Sequence, residues 1–211
     1  MTENSNKFSY LIDVYKLAKK NEKDFIDTQS AHWDKYNINN DKFLNIDNLL
    51  NFRKEQFLSD GLDDARHLQK KTGLLKVLEN FDGPFLKKNL PTKNIGNCNY
   101  SNNFLGYWFD YGIIHHLKWY EKIQDYIEDN FYILEIGGGF GSLSRLILNN
   151  HNVKYFLVDL PEANLMSNYY LQSHFPEKKI FNYSDYKKSE LKDNIDNFDI
   201  FILPPRILDK E

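Results

Sequence analysis

The run Tyr132-Ile133-Leu134-Glu135-Ile136-Gly137-Gly138-Gly139-Phe140-Gly141-Ser142-Leu143 constrains this chain more than any other. A short apolar segment leads into four glycines within five residues. Leu143, Leu146 and Ile147 then recur at helical spacing. This is a strand that turns sharply into a helix. Such a corner presents backbone N–H groups that no intrahelical carbonyl satisfies. Glycine suits it because positive φ costs glycine little and because a ligand can press against bare backbone. The corner predicts a nucleotide-type ligand site.

Strands and helices alternate from there on. Residues 133–136 read as the first strand and 142–149 as a helix. Residues 154–158 read as a second strand ending at Asp159-Leu160-Pro161. A helix over 162–174 follows, with Pro161 in a favourable starting position. Residues 179–183 read as a third strand ending at Ser184-Asp185. Residues 198–203 read as a fourth, stopped by Pro204-Pro205. This order implies an α/β fold, a Rossmann-like parallel sheet with helical crossovers.

The N-terminal part reads as helical. Phe8, Leu11, Val14, Tyr15 and Ala18 give an amphipathic helix over 8–20. A polar stretch, 21–42, has Trp33 as its expected anchor. A helix over 43–58 is broken at Asp60-Gly61, and Asp63 caps a further helix carrying Leu68, Leu74, Leu75 and Leu78. Asp82-Gly83-Pro84 reads as a turn and 84–103 as an Asn-rich loop. A long helix over 104–127 leads into the glycine corner. The expected division is an N-terminal helical region, 1–95, and a ligand-binding Rossmann-like domain, 96–211.

Composition narrows the function classes. The 211 residues are 41% apolar, with 16 Phe and 14 Tyr, enough for a substantial aromatic core. The net charge of −3 comes from interspersed acidic and basic residues. It leaves no basic footprint for nucleic acid and no polybasic membrane patch. Cys98 is the single cysteine, so an intrachain disulfide is excluded, and its reading is a small buried hydrophobe. Without an apolar signal core or a run of spanning length, a soluble cytoplasmic protein is expected.

Two cofactor classes use such a corner. A dinucleotide site wants G-x-G-x-x-G. Here Gly139-Phe140-Gly141-Ser142-Leu143-Ser144 has serine at the third glycine, so the match is imperfect. The pattern Glu135-x-Gly137-x-Gly139-x-Gly141 followed by Asp159 fits better, and it resembles the S-adenosyl-L-methionine site of class I methyltransferases. The resemblance implies that Gly137, Gly138, Gly139 and Gly141 pass close to the methionine and ribose portions. It also implies that Asp159 accepts from the ribose hydroxyls and Glu135 supports the amino-acid end. The resemblance further puts Asp185 at the family's acidic position near adenine and implies that Phe140 and Leu160 line the cofactor. Residues 133–141, with Val158-Asp159-Leu160-Pro161-Glu162 and Ile95-Gly96-Asn97, further resemble a bacterial family of sugar O-methyltransferases. That implies methyl transfer to a hydroxyl of a small-molecule or glycan acceptor, such as a sugar nucleotide.

The same resemblance implies a seven-stranded sheet, of which four strands are legible before Glu211. The expectations are a C-terminally incomplete sheet, a fourth strand left as an exposed edge, and a homodimer formed through it. A base is sought in His115 and His116. At most one of two adjacent helical residues lines a site, and ordinary packing is the better reading for both. No catalytic residue and no metal ligand set is assigned. A non-catalytic cofactor-binding or association fragment and a nicotinamide-dependent oxidoreductase are the competing readings.

Overall fold

The computed structural model describes residues 3–21, 45–54, 71–99 and 101–209. The chain begins with helices α1 (Glu3–Phe8) and α2 (Tyr10–Lys20). Phe8, Leu11, Tyr15 and Ala18 are buried, as the helical spacing predicts. Helix α3 (Ile46–Leu50) is capped by the Asn45 side chain, which accepts from the Asp47 N–H. The expected anchor Trp33, the Asp60-Gly61 break and the Asp63 cap lie outside the described residues, as do 43–44 and 55–58 of the expected 43–58 helix; its residues 51–54 are turn, so that helix ends at Leu50, earlier than expected. Helix α4 (Lys71–Leu78) follows.

Two further stretches upstream of the glycine corner differ from expectation. Asp82-Gly83-Pro84 starts helix α5 (Gly83–Asn89): Asp82 is its N-cap, accepting from the Phe85 N–H, and Pro84 sits in the first turn. The long helix expected over 104–127 begins later. Strands β1 (Asn102–Phe104) and β2 (Tyr107–Phe109) form an antiparallel hairpin first. Leu105 and Gly106 turn it with positive φ. Asp110 then caps helix α6 (Tyr111–Ile123) by accepting from the Ile113 N–H.

The α/β part comprises β3 (Tyr132–Ile136), α7 (Ser142–Asn150), β4 (Lys154–Val158), α8 (Pro161–His174), β5 (Ile180–Phe181), α9 (Tyr183–Tyr186) and β6 (Ile200–Leu203). The four strands form a parallel sheet in the order β3-β4-β6-β5. In dinucleotide-binding sheets the first strand is interior, flanked by the second and fourth. Here, among the described residues, the first strand, β3, is an edge, and the fourth, β6, lies between the second and third.

Burial explains this placement. Ile200-Phe201-Ile202-Leu203 is apolar on both faces and wholly buried, which suits an interior strand. Phe201 stacks on Phe156 of β4, with ring centres 4.5 Å apart. In β3, by contrast, Tyr132, Leu134 and Ile136 are exposed. The expected exposed fourth strand is therefore corrected: among the described residues β6 is paired on both sides, and the edges belong to β3 and β5.

One face of the sheet, with Ile133, Tyr155, Leu157, Ile200 and Ile202, packs in a core with buried residues of α6, α7 and α8. That cluster also holds Phe8, Leu11, Leu49 and Phe52, so the N-terminal helices and the sheet share it. On the opposite face, Val158, Phe181, Phe201 and Leu203 pack against Leu191 and Ile207.

Candidate functional site

The glycine corner links β3 to α7. Gly137, Gly139 and Gly141 all have positive φ, and Gly141 is the N-cap of α7. A Cβ added at Gly137 or Gly139 would meet nothing within 4 Å, so the outer backbone of the corner is bare and open. Gly138 faces inward. A Cβ there would lie 2.9 Å from the carboxyl of Glu135 and 2.9 Å from Leu157.

Glu135 is fixed beneath the loop. Its Oε2 accepts from Ser144 Oγ at 2.6 Å and from Tyr155 Oη at 2.8 Å. Burial raises its pKa, and the two hydroxyl donors offset this in part. Ser144 is the residue that stands where a dinucleotide fingerprint has its third glycine, and here it holds Glu135.

Asp159, at the tip of β4, reaches the corner directly. Its Oδ2 accepts from the Gly139 N–H at 2.8 Å and its Oδ1 from the Leu160 N–H at 2.7 Å. Burial raises its pKa to about 6. The two backbone donors pull it down, and nearby Glu135 and Glu162 push it up. Leu160 is half-buried at the N-cap position of α8.

Phe140 turns away from the corner. Its ring packs edge-on to Tyr170 at 5.0 Å and against Phe52 at 5.7 Å, and the Arg53 guanidinium lies over it at 4.8 Å. It pins the loop to the N-terminal helices. Asp185 is not brought to the corner. It completes a capping box on α9, accepting from the Asn182 N–H at 3.0 Å, and β6 intervenes between its strand and β4.

Sequence reasoning missed the supports of this site. Tyr155 was legible only through register: it pairs with Ile133, two residues before Glu135 on the same face. Arg53 and Asp110 form a buried ion pair, with Ser101 Oγ donating to the same Asp110 oxygen at 2.9 Å. They join the turn after α3, the hairpin and α6. Of the two histidines, His115 stacks along its own helix on Tyr111 and lies tilted against Trp119. His116 lies against His115 and Trp119, and burial lowers its pKa to about 4, with His115 adding to the effect. It is neutral near pH 7, and among the described residues no hydrogen bond joins it to the glycine corner.

Among the described residues no three of His, Cys, Asp and Glu gather as a metal site would require. No helix among them is long and apolar enough to cross a membrane. Comparison with family models, with curated proteins and with solved structures gives no match.

Proposed function

We propose that this chain binds S-adenosyl-L-methionine at the glycine corner and serves methyl transfer to a sugar hydroxyl. The observation that carries the cofactor reading is the contact of Asp159 with the Gly139 N–H across two adjacent strand tips. A carboxylate there has lone pairs left for two ribose hydroxyls, and such charge-assisted bonds are the stronger kind. Glu135, held by Ser144 and Tyr155, sets the floor over which Gly138 passes. The open backbone at Gly137 and Gly139 gives a ligand room to lie against the loop. When bound, the cofactor would supply an electrophilic methyl group. The chain's own residues would hold it and orient it toward the acceptor, and positioning of that kind accounts for much of such a rate.

The glycan acceptor rests on the family resemblance. The fit is partial: Phe140 and Asp185 have other work in the fold, and the strand order differs from that of a dinucleotide-binding sheet. The reading therefore rests on the corner and not on the sheet as a whole. The nicotinamide alternative is disfavoured by Ser144, whose side chain fills the close helix–strand approach that the third glycine keeps clear in that fold.

Calorimetry tests the proposal. S-adenosylhomocysteine is expected to bind and NAD is not. Asp159→Ala should weaken binding at least about tenfold, the scale of one lost charge-assisted hydrogen bond. Equal affinity of wild type and variant, or preference for NAD, would overturn it.

A further inference from the structure

The run Gly137-Gly138-Gly139-Phe140-Gly141 contains one side chain, that of Phe140. Glycine allows the positive φ values of the corner, and it also loses more conformational freedom on ordering than any other residue. Within the corner Gly139 donates to Asp159 at 2.8 Å and Gly141 to the Gly138 carbonyl at 3.0 Å. The Phe140 ring is where a side chain of the loop itself meets the rest of the fold, and it meets a charge. The Arg53 guanidinium carbon stands 4.8 Å from the ring centre, and the Arg53 side chain is 9% exposed.

Arg53 is itself fixed. Its backbone N–H donates to the Gly96 carbonyl at 2.8 Å, its Nη1 to the Ile95 carbonyl at 3.4 Å, and its Nη2 pairs with Asp110. Asp110 is buried and held in turn: Oδ1 accepts from the Ile113 N–H at 3.1 Å and Oδ2 from Ser101 Oγ at 2.9 Å. Gly96 makes the close approach possible. Its φ is +82°, and a Cβ there would stand 2.5 Å from the Phe52 ring and 2.8 Å from Arg53 Cγ. Packing alone does not call for this arrangement, because Phe52 and Tyr170 already flank the Phe140 ring. A buried ion pair is often no more stabilising than apolar side chains of the same volume. What the guanidinium adds is direction: its attraction acts over the face of the ring, and Asp110 fixes where it stands.

We propose that Arg53 is the positioning residue of the glycine corner: held by Asp110, it clamps the Phe140 ring and so sets the backbone that a ligand meets at Gly137 and Gly139. The turn after α3 thereby serves the ligand site from outside the α/β part, through one side chain. A ligand then meets a surface ordered in advance, and less of its binding energy goes into ordering glycines. For S-adenosyl-L-methionine as that ligand the inference rests on the reading above; for the order of the corner it does not.

The test is amide hydrogen exchange of the intact chain, read by NMR without ligand. Arg53→Met removes the charge and keeps most of the length. Exchange at Gly139 and Gly141 should quicken at least about threefold, the scale of one cation–π contact. The Tyr155 amide, which donates to the Asp199 carbonyl at 3.0 Å in the sheet, should keep its rate. Against a Phe140→Leu background, Arg53→Met should lose this selective effect, because the two side chains act as a pair. Unchanged glycine amides, equal quickening at Tyr155, or an undiminished effect without the ring overturns the proposal. If Arg53→Met does not fold, Arg53→Lys takes its place. It keeps a charge for Asp110 but not the planar group over the ring, and the same selectivity and ring dependence are expected. Calorimetry then reads the ligand: S-adenosylhomocysteine should bind the Arg53 variant at least about threefold more weakly than wild type. Equal affinity would overturn the positioning role. If wild type binds none, the S-adenosyl-L-methionine reading fails, and the exchange rates alone decide what Arg53 does.

Discussion

Within the glycine corner the glycines are required for different reasons, and substitution can tell them apart. Gly137 has a φ of +75° and open space around it, so alanine there meets only left-handed backbone strain, about 1–2 kcal/mol. Gly138 has no such dihedral, yet a Cβ would sit 2.9 Å from a carboxyl that Ser144 and Tyr155 hold in place. Forcing extra volume into a fixed neighbour typically costs about 1–3 kcal/mol. The single costs overlap, so the distinction lies in coupling. In a Glu135→Ala background the penalty of Gly138→Ala should shrink by about 1 kcal/mol, because contacting residues are not additive. The penalty of Gly137→Ala should not change. Urea unfolding of the two double-mutant cycles measures this, and equal coupling in both would show that Gly138 is not there to clear Glu135.

At the scale of elements, α8 carries a titration of known sign. His174 lies in its last turn, where a protonated histidine would ordinarily be favoured by the helix dipole. Burial, with Arg145, Lys93 and Arg53 nearby, instead lowers its pKa to about 3. The unfolded chain takes up a proton near the ordinary value of 6.5, and the folded chain does not until about pH 3. Stability is therefore lost as pH falls through that window, with a slope of up to about 1.4 kcal/mol per pH unit. Asp159, raised to about 6, acts in the opposite sense: its cost to stability appears as pH rises from about 4 to 6. Asp159 is common to both proteins when wild type is compared with His174→Gln, so its effect cancels. The urea midpoint of the variant should fall less than that of wild type between pH 7 and 4.5, and parallel falls would contradict the neutral histidine. The elements that were legible in sequence are those with strong local codes. Helix α2 has its apolar spacing, α8 its leading Pro161, and the glycine corner its composition. The β1–β2 hairpin was not legible, because its turn uses Leu105 in the left-handed region, a choice no propensity favours. Gly83-Pro84 read as a turn because a capped helix start and a turn use the same residues. Asp159 could be placed from its strand tip, whereas Arg53 and Tyr155 needed the tertiary packing to acquire their roles.

For the molecule as a whole, the strand order determines where it is vulnerable. Parallel pairing occupies one edge of β3, and among the described residues no strand pairs with the other. On the sheet face away from α7 and α8, Tyr132, Leu134 and Ile136 are 62%, 53% and 68% exposed, and the 41% exposed Phe131 precedes them. An open strand edge bearing an apolar stripe is a template for pairing. A second copy offers the same edge, and antiparallel pairing about a two-fold axis through Leu134 would place each Tyr132 opposite the other copy's Ile136. The stripe carries no charge to oppose this. Self-association through β3 is therefore expected, where the sequence had suggested the fourth strand. Leu134→Lys puts a charge at the centre of the pairing and removes no buried group. It should leave the fold within about 0.5 kcal/mol of wild type, as exposed substitutions usually do. Sedimentation equilibrium should then show wild type associating with rising concentration and Leu134→Lys remaining monomeric. Persistence of the same assembly in Leu134→Lys would place the contact elsewhere, and a monomeric wild type would mean that this edge is shielded from a second copy.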